Sequence, residues 1–184
     1  AGRGLVHSEM PEQQEGRMRG FQLWVNLPAK DKMVEPRYQE FAPESIPVAS
    51  PDAGISVKII AGEVDGVQGP IVQPATDPLY LDITLDAGRD WQVTLPEGHN
   101  AFAYVFEGAA TIGEGEDARV LETHELAVLG GGDLFKVHAD KAGSRLILVA
   151  GRPLREPVAR HGPFVMNTKE EIMQAFVDFQ QGRF

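Results

Sequence analysis

The sequence contains no cysteine, which excludes disulfides, thiolate zinc sites and cysteine nucleophiles from the start. It also lacks long apolar runs. The longest, such as Leu146 to Ala150, are only strand length, so no signal peptide or membrane span is read and a cytoplasmic location is expected. Basic residues are scarce: 17 Lys and Arg stand against 27 Asp and Glu, a formal charge of −10 at pH 7. That charge repels a phosphate backbone, and no Lys/Arg cluster offsets it, so direct nucleic-acid binding is not expected. No Gly-x-Ser-x-Gly elbow occurs, nor any Ser paired with His and Asp at a recognisable spacing. The initiator Met is absent too. Because Leu5, Val6 and His7 already read as strand, the chain is expected to start inside a longer protein.

Turns, by contrast, are abundant. Twenty Gly and thirteen Pro make up about 18% of the chain, against roughly 12% in average usage, which favours many short elements over long helices. The 42% apolar content is enough for an ordinary core. From Gly54 onward, short runs alternate apolar and polar residues. Leu79, Leu81, Ile83 and Leu85 alternate with Tyr80, Asp82, Thr84 and Asp86, the pattern of a strand with one buried face. Trp91, Val93 and Leu95 repeat it. Ala101 to Phe106, a turn at Glu107-Gly108 and a return over Ala109 to Ile112 read as a hairpin. Further strands are expected over Leu126 to Leu129, Leu134 to Val137 and Arg145 to Ala150. Strands of this number and length close into a jelly roll or cupin barrel, so the fold class is all-β and antiparallel. One helix is expected, at the C-terminus: Thr168 and Glu171 form a capping box, Ile172, Phe176 and Phe179 make an apolar stripe, and Gly182 stops the run. Gln22 to Leu27 reads as an earlier strand.

Few residues offer chemistry. His7 and Glu9 lie two apart, and on a strand both side chains project from one face, bringing an imidazole and a carboxylate together as ligands for a first-row metal. In the later barrel His99 is followed by Ala101 where a His-x-His pair would be needed, and His124 and His138 stand alone. These three read as surface or strand-end histidines and the barrel as metal-free. Gly130-Gly131-Gly132-Asp133 precedes a strand rather than a helix, so it reads as a hairpin turn and not a phosphate cradle.

The segment Ala1-Gly2-Arg3-Gly4-Leu5-Val6-His7-Ser8-Glu9-Met10-Pro11, followed by Phe21-Gln22-Leu23-Trp24-Val25-Asn26-Leu27-Pro28, resembles the pirin family of the cupin superfamily. A second matching stretch runs over Gly151-Arg152-Pro153-Leu154-Arg155-Glu156-Pro157-Val158 and Gly162-Pro163-Phe164-Val165-Met166-Asn167-Thr168. Arg160-His161 departs from the family, which more often has an aromatic there. The resemblance implies a bicupin whose N-terminal barrel binds one non-haem iron, with other divalent metals as alternatives, through three His and one Glu. His7 and Glu9 match two of those ligands. The other two belong to a His-Pro-His segment that does not occur in this sequence. On this basis residues 1–28 are the closing part of a metal-binding cupin, 29–53 a connector, 54–152 the second barrel and 153–184 a tail with the helix.

What the resemblance implies about function divides in two. In one reading the intact protein is a metal-dependent dioxygenase of the quercetin 2,3-dioxygenase type, acting on a small aromatic substrate such as a flavonol, with Glu9 as both ligand and catalytic base. In the other it is a non-catalytic, redox- or iron-dependent regulator that binds a transcription factor or metabolic enzyme. Both need the same ligands, and in both this chain is expected to be inactive as a dioxygenase by itself.

Overall fold

The computed structural model describes residues 2–8, 10, 15–16 and 18–184. Along them run β1 (Val48–Ala49), β2 (Ile55–Ala61), β3 (Glu63–Val64), β4 (Val67–Gln68), β5 (Leu79–Leu85) and β6 (Asp90–Thr94). These are followed by β7 (Asn100–Ile112), β8 (Arg119–Leu121), β9 (Leu126–Val128), β10 (Leu134–Gly151), β11 (Ala159–His161), β12 (Phe164–Met166) and α1 (Lys169–Gln180). The chain divides into two compact units, one formed by Glu40–Pro153 and the other by Ala1–Gln39 together with Leu154–Phe184.

In the Glu40–Pro153 unit the alternation predicted for β5 is realised residue by residue. Leu79, Leu81, Ile83 and Leu85 are buried and the residues between them half-buried. Val57 and Ile59 of β2 and Leu146 and Leu148 of β10 face the same interior, which gives the unit one apolar core. The eight-stranded sheet runs β1-β2-β5-β10-β7-β8, with β6 added on β10 and β9 on β7. Every strand pairing in it is antiparallel. The expected all-β cupin barrel is therefore the fold, and β1 joins it from within the segment read as connector.

Two expectations about this sheet fail in an instructive way. Residues 101–112 form no hairpin, because β7 is one continuous strand of 13 residues; β10 is likewise a single strand of 18 residues. Their pairing changes halfway along. Leu134–Ala139 of β10 faces β6 and the end of β7, whereas Ser144–Gly151 faces β5 and the start of β7, with register shifts between. Gly108 (φ +73°) and Gly143 (φ +77°) lie at these shifts in the left-handed region. Glu107-Gly108 thus bends a strand instead of reversing it, as a bulge does. The bend lets two long strands serve both halves of the barrel. Gly130-Asp133 is also not a hairpin turn, since it connects β9, paired with β7, to β10 without the two strands pairing with each other.

In the other unit, residues 4–8 and 18–28 belong to no strand, contrary to the strands read at Leu5–His7 and Gln22–Leu27. A strand-like sequence becomes a strand only when a neighbouring segment completes a ladder with it. The sheet present here is the β11-β12 hairpin, turned through Gly162 (φ +53°) and Pro163. The helix is as read: Thr168 accepts from the Glu171 N–H while the Glu171 carboxylate accepts from the Thr168 N–H. Its buried stripe is narrower than expected. Ile172 and Ala175 are buried, Phe176 is half-buried and Phe179 is exposed. Phe179 still contributes to an aromatic cluster, packing on Phe164 and Phe184.

A methyl group added at Gly108 would overlap the Gly143 carbonyl oxygen, and one at Gly143 would come within 2.8 Å of the Leu85 oxygen. Gly98 has a similar φ (+75°) with nothing within 4 Å of the added atom. Gly98→Ala should therefore cost only the left-handed backbone penalty, about 1–2 kcal/mol. Gly108→Ala should cost several kcal/mol more or prevent folding. Equal midpoint shifts for the two variants in chemical denaturation would show that the close approach is not a constraint.

Candidate functional site

The segment bearing the candidate ligand His7 is fixed on its N-terminal side by backbone contacts that only glycine permits. Gly2 (φ +55°) lies so close to Val34 that a Cβ would overlap its carbonyl oxygen. Gly4 (φ +144°) faces the Phe184 ring, 2.6 Å from where a Cβ would be. Between them the Arg3 N–H donates to Val34 O at 2.9 Å and the Arg3 guanidinium pairs with Glu35 at 2.9 Å. From this anchor the chain reaches His7, which is exposed. Glu9, the second candidate ligand and candidate base, lies outside the described residues, so the pairing of the two is not described.

Among the described residues, no three His, Asp or Glu side chains converge closely enough to hold a metal ion. One imidazole with one neighbouring carboxylate in sequence does not make up the three or four donors of a stable first-row site. Taken alone, the residues present do not fit a closed metal centre.

They do form a polar clasp that was not read from the sequence. Lys32 is 7% exposed, and its ammonium donates to Asn26 Oδ1 at 2.7 Å and Val165 O at 3.2 Å. Burial pushes its pKa below the ordinary lysine value, and Glu156 and Glu171 partly restore it. Glu156 accepts from the Ala29 N–H at 2.7 Å and from Asn167 Nδ2 at 3.0 Å. Glu171 accepts from the Asn167 and Thr168 N–H groups. The two family-like stretches thus meet in space. A signal was present: Asn26 precedes Leu27-Pro28, and Asn167 and Thr168 close the second stretch, polar residues inside otherwise apolar motifs. His161 of the Arg160-His161 departure stacks edge-on against Phe176 at 5.3 Å, an aromatic contact for an aromatic position.

The three histidines of the barrel are not alike. His124 lies in the turn before β9 with φ +75°, its Nδ1 3.1 Å from the Tyr104 hydroxyl. His138 is half-exposed and pairs with Asp90 at 2.9 Å. It lines a cleft of about 600 Å³ together with Asp52, Asp65, Trp91, Glu114 and Lys136. His99, read as a surface or strand-end residue, is half-buried as a whole, but its side chain is only 2% exposed. Nothing in local periodicity marks it, because what covers it comes from loops far away in sequence.

Residues 80–184 match the pirin C-terminal cupin domain family. A pirin-like protein of Caulobacter vibrioides is 50% identical across 100% of this chain and 65% of its own length. The pirin of Homo sapiens is 47% identical across 100% of this chain and 62% of its own length. The crystal structure of a quercetin 2,3-dioxygenase from Acinetobacter baumannii superimposes with a TM-score of 0.80 at 36% identity, covering 88% of this chain and 55% of that one. The chain therefore spans slightly under two thirds of the length of these curated relatives.

The clasp makes a direct prediction. Lys32→Met removes the ammonium donor from Val165 O and leaves Asn26 Oδ1 with the Leu27 N–H alone, and Asn26→Ala removes one acceptor of the ammonium, so each should destabilise by about 1–3 kcal/mol. Because the two share one hydrogen bond, the double variant should lose less than the sum. Additive losses in a double-mutant cycle would show that the pair is not coupled.

Proposed function

Since this chain belongs to the pirin family, we propose that it is part of a metal-dependent dioxygenase acting on a flavonol-type small molecule. The observation that carries this reading is the likeness to the A. baumannii quercetin 2,3-dioxygenase, at an identity well above what fold alone entails. In this reading His7 and Glu9 are metal ligands, the metal being iron, and Glu9 is also the proton acceptor for a substrate hydroxyl. Two further histidine donors come from outside these residues, on a His-Pro-His segment. Domain roles follow from the same proposal: residues 1–28 close the metal-binding cupin, and residues 54–152 form a barrel that holds no metal.

The chemistry that a bound iron would supply is the joint positioning of substrate and dioxygen. The role of this chain is narrower. It holds His7 on a segment anchored through Gly2, Arg3 and Gly4, so that an exposed imidazole is presented from a fixed base.

The test compares metal content after dialysis for this chain alone and for the chain extended N-terminally with a family segment carrying His-Pro-His. The extended protein should retain about one metal per chain, and the isolated chain should lose it. His7→Ala and Glu9→Ala in the extended protein should each weaken metal binding by at least about a hundredfold, since even removing a residue that only supports a ligand costs ten- to a hundredfold. Stoichiometric retention by the isolated chain would show the ligands to be elsewhere. Oxygen uptake is then measured with the iron-loaded extended protein across a flavonol panel. Its absence would overturn the dioxygenase reading in favour of a redox- or iron-dependent regulator.

A further inference from the structure

In the Glu40–Pro153 unit the loop over residues 70–78, ahead of β5, reaches a buried histidine side chain through Asp77. The His99 side chain is 2% exposed, and its Nε2 lies 3.5 Å from Asp77 Oδ2, within ion-pair reach but too long for a strong hydrogen bond. Its Nδ1 is buried with no partner. Asp77 Oδ2 is also 3.4 Å from the Arg152 guanidinium, so one carboxylate stands between the imidazole and the arginine. Asp77 and Arg152 are both more than half exposed, whereas the imidazole is not. Backbone bonds complete the closure: the Arg152 N–H donates to Thr76 O at 2.7 Å, and the Asp77 N–H to Gln73 O at 2.8 Å. Asp77 is left-handed (φ +46°), and Pro74 and Pro78 flank the turn. Thr76 is buried as well, and its hydroxyl also has no partner.

We propose that His99 is the proton-sensitive pin of a latch: neutral, it lets the 70–78 loop close on the barrel end, and protonated, it releases the loop. The physical reason lies in Nδ1. Neutral imidazole can donate from Nε2 towards Asp77 and leave Nδ1 as a bare acceptor, which costs less than a buried unpaired charge. Protonation turns Nδ1 into a buried charged donor with no acceptor, and relief requires water or movement of the cover. The charged groups facing the ring are Asp77, from the loop before β5, and Arg152, from the end of β10. Burial lowers the His99 pKa, Asp77 raises it and Arg152 lowers it further, for a net fall below the ordinary 6.5.

The sign follows by linkage. The closed state holds the proton more weakly than the open one, so closure is fully favourable above about pH 6.5 and weakens as pH falls below it. With one proton involved, the open-to-closed ratio rises by at most about tenfold between pH 7.5 and pH 5.5.

The experiment is amide hydrogen exchange on the whole chain at these two pH values, corrected for intrinsic rates, and read at the Asp77 and Arg152 amides. Wild type should lose several-fold protection, up to about tenfold, at these amides and none in β5, and His99→Gln should show no loss between the two pH values. The proposal is overturned by an unchanged wild type, by an equal loss in His99→Gln, or by a loss shared with β5, which would be global unfolding. A direct NMR titration of the wild-type imidazole supplies a check that needs no variant. A midpoint below 6.5 supports the latch, and one at or above 6.5 overturns it.

Discussion

The barrel depends on two glycines placed back to back. At Gly108 the backbone of β7 lies so close to Gly143 of β10 that no side chain fits, Gly143 in turn lies against the Leu85 carbonyl of β5, and both glycines take a left-handed conformation that only glycine adopts at little cost. Because the bends coincide, each long strand changes partners at the same level of the barrel. Along the chain β10 passes from β6 to β5, and β7 from β9 to β8. The Gly108 carbonyl at this point accepts from the Thr123 hydroxyl at 2.7 Å, so the turn before β9 is tied to the bend. A sheet that could not bend there would stay open, with the apolar faces of β2, β5 and β10 lacking a covering layer.

The second unit follows a different logic. It has little ladder hydrogen bonding, and its order comes from the buried Lys32 ammonium, the two capping bonds of Glu171 and an aromatic group around Phe164. Polar networks of this kind specify one arrangement because each member leaves another unsatisfied when it is lost. The family-like stretches of sequence are accordingly where the network lies, and the candidate ligand His7 follows closely on its edge.

Much of this was legible in the sequence, and the limit has a physical form. The alternation in β5 and the Thr168–Glu171 capping box are local signals, and both are realised as read. Glu107-Gly108 is a local signal too, but the same dipeptide serves a turn or a bulge. The choice is made by β10, whose paired residues lie about forty positions away. Leu5–His7 and Gln22–Leu27 have strand-like sequences and form no strand, because strand formation belongs to a pair of segments and not to one. The burial of Lys32 and of His99 was invisible for a similar reason. Lysine in a polar stretch and a histidine after a Pro-Glu-Gly turn carry no periodicity, and their covers come from Val165 and from Asp77 and Arg152. The candidate metal ligands were found by motif alone, and the geometry of His7 with Glu9 lies outside the described residues.

The clasp joins Ala29 to Glu156, residues 127 positions apart. Closing a flexible loop of that length carries a large entropic cost before a single hydrogen bond is gained. A folded barrel removes most of it, since it fixes the separation of its own first and last residues and leaves only short arms to search. Its central strand, β10, is also the last of its strands to be synthesised, so the sheet cannot be assembled until the chain has grown past Gly151. Connectivity thus favours one order of events, in which a barrel already formed leaves Ala29 and Glu156 little chain to search.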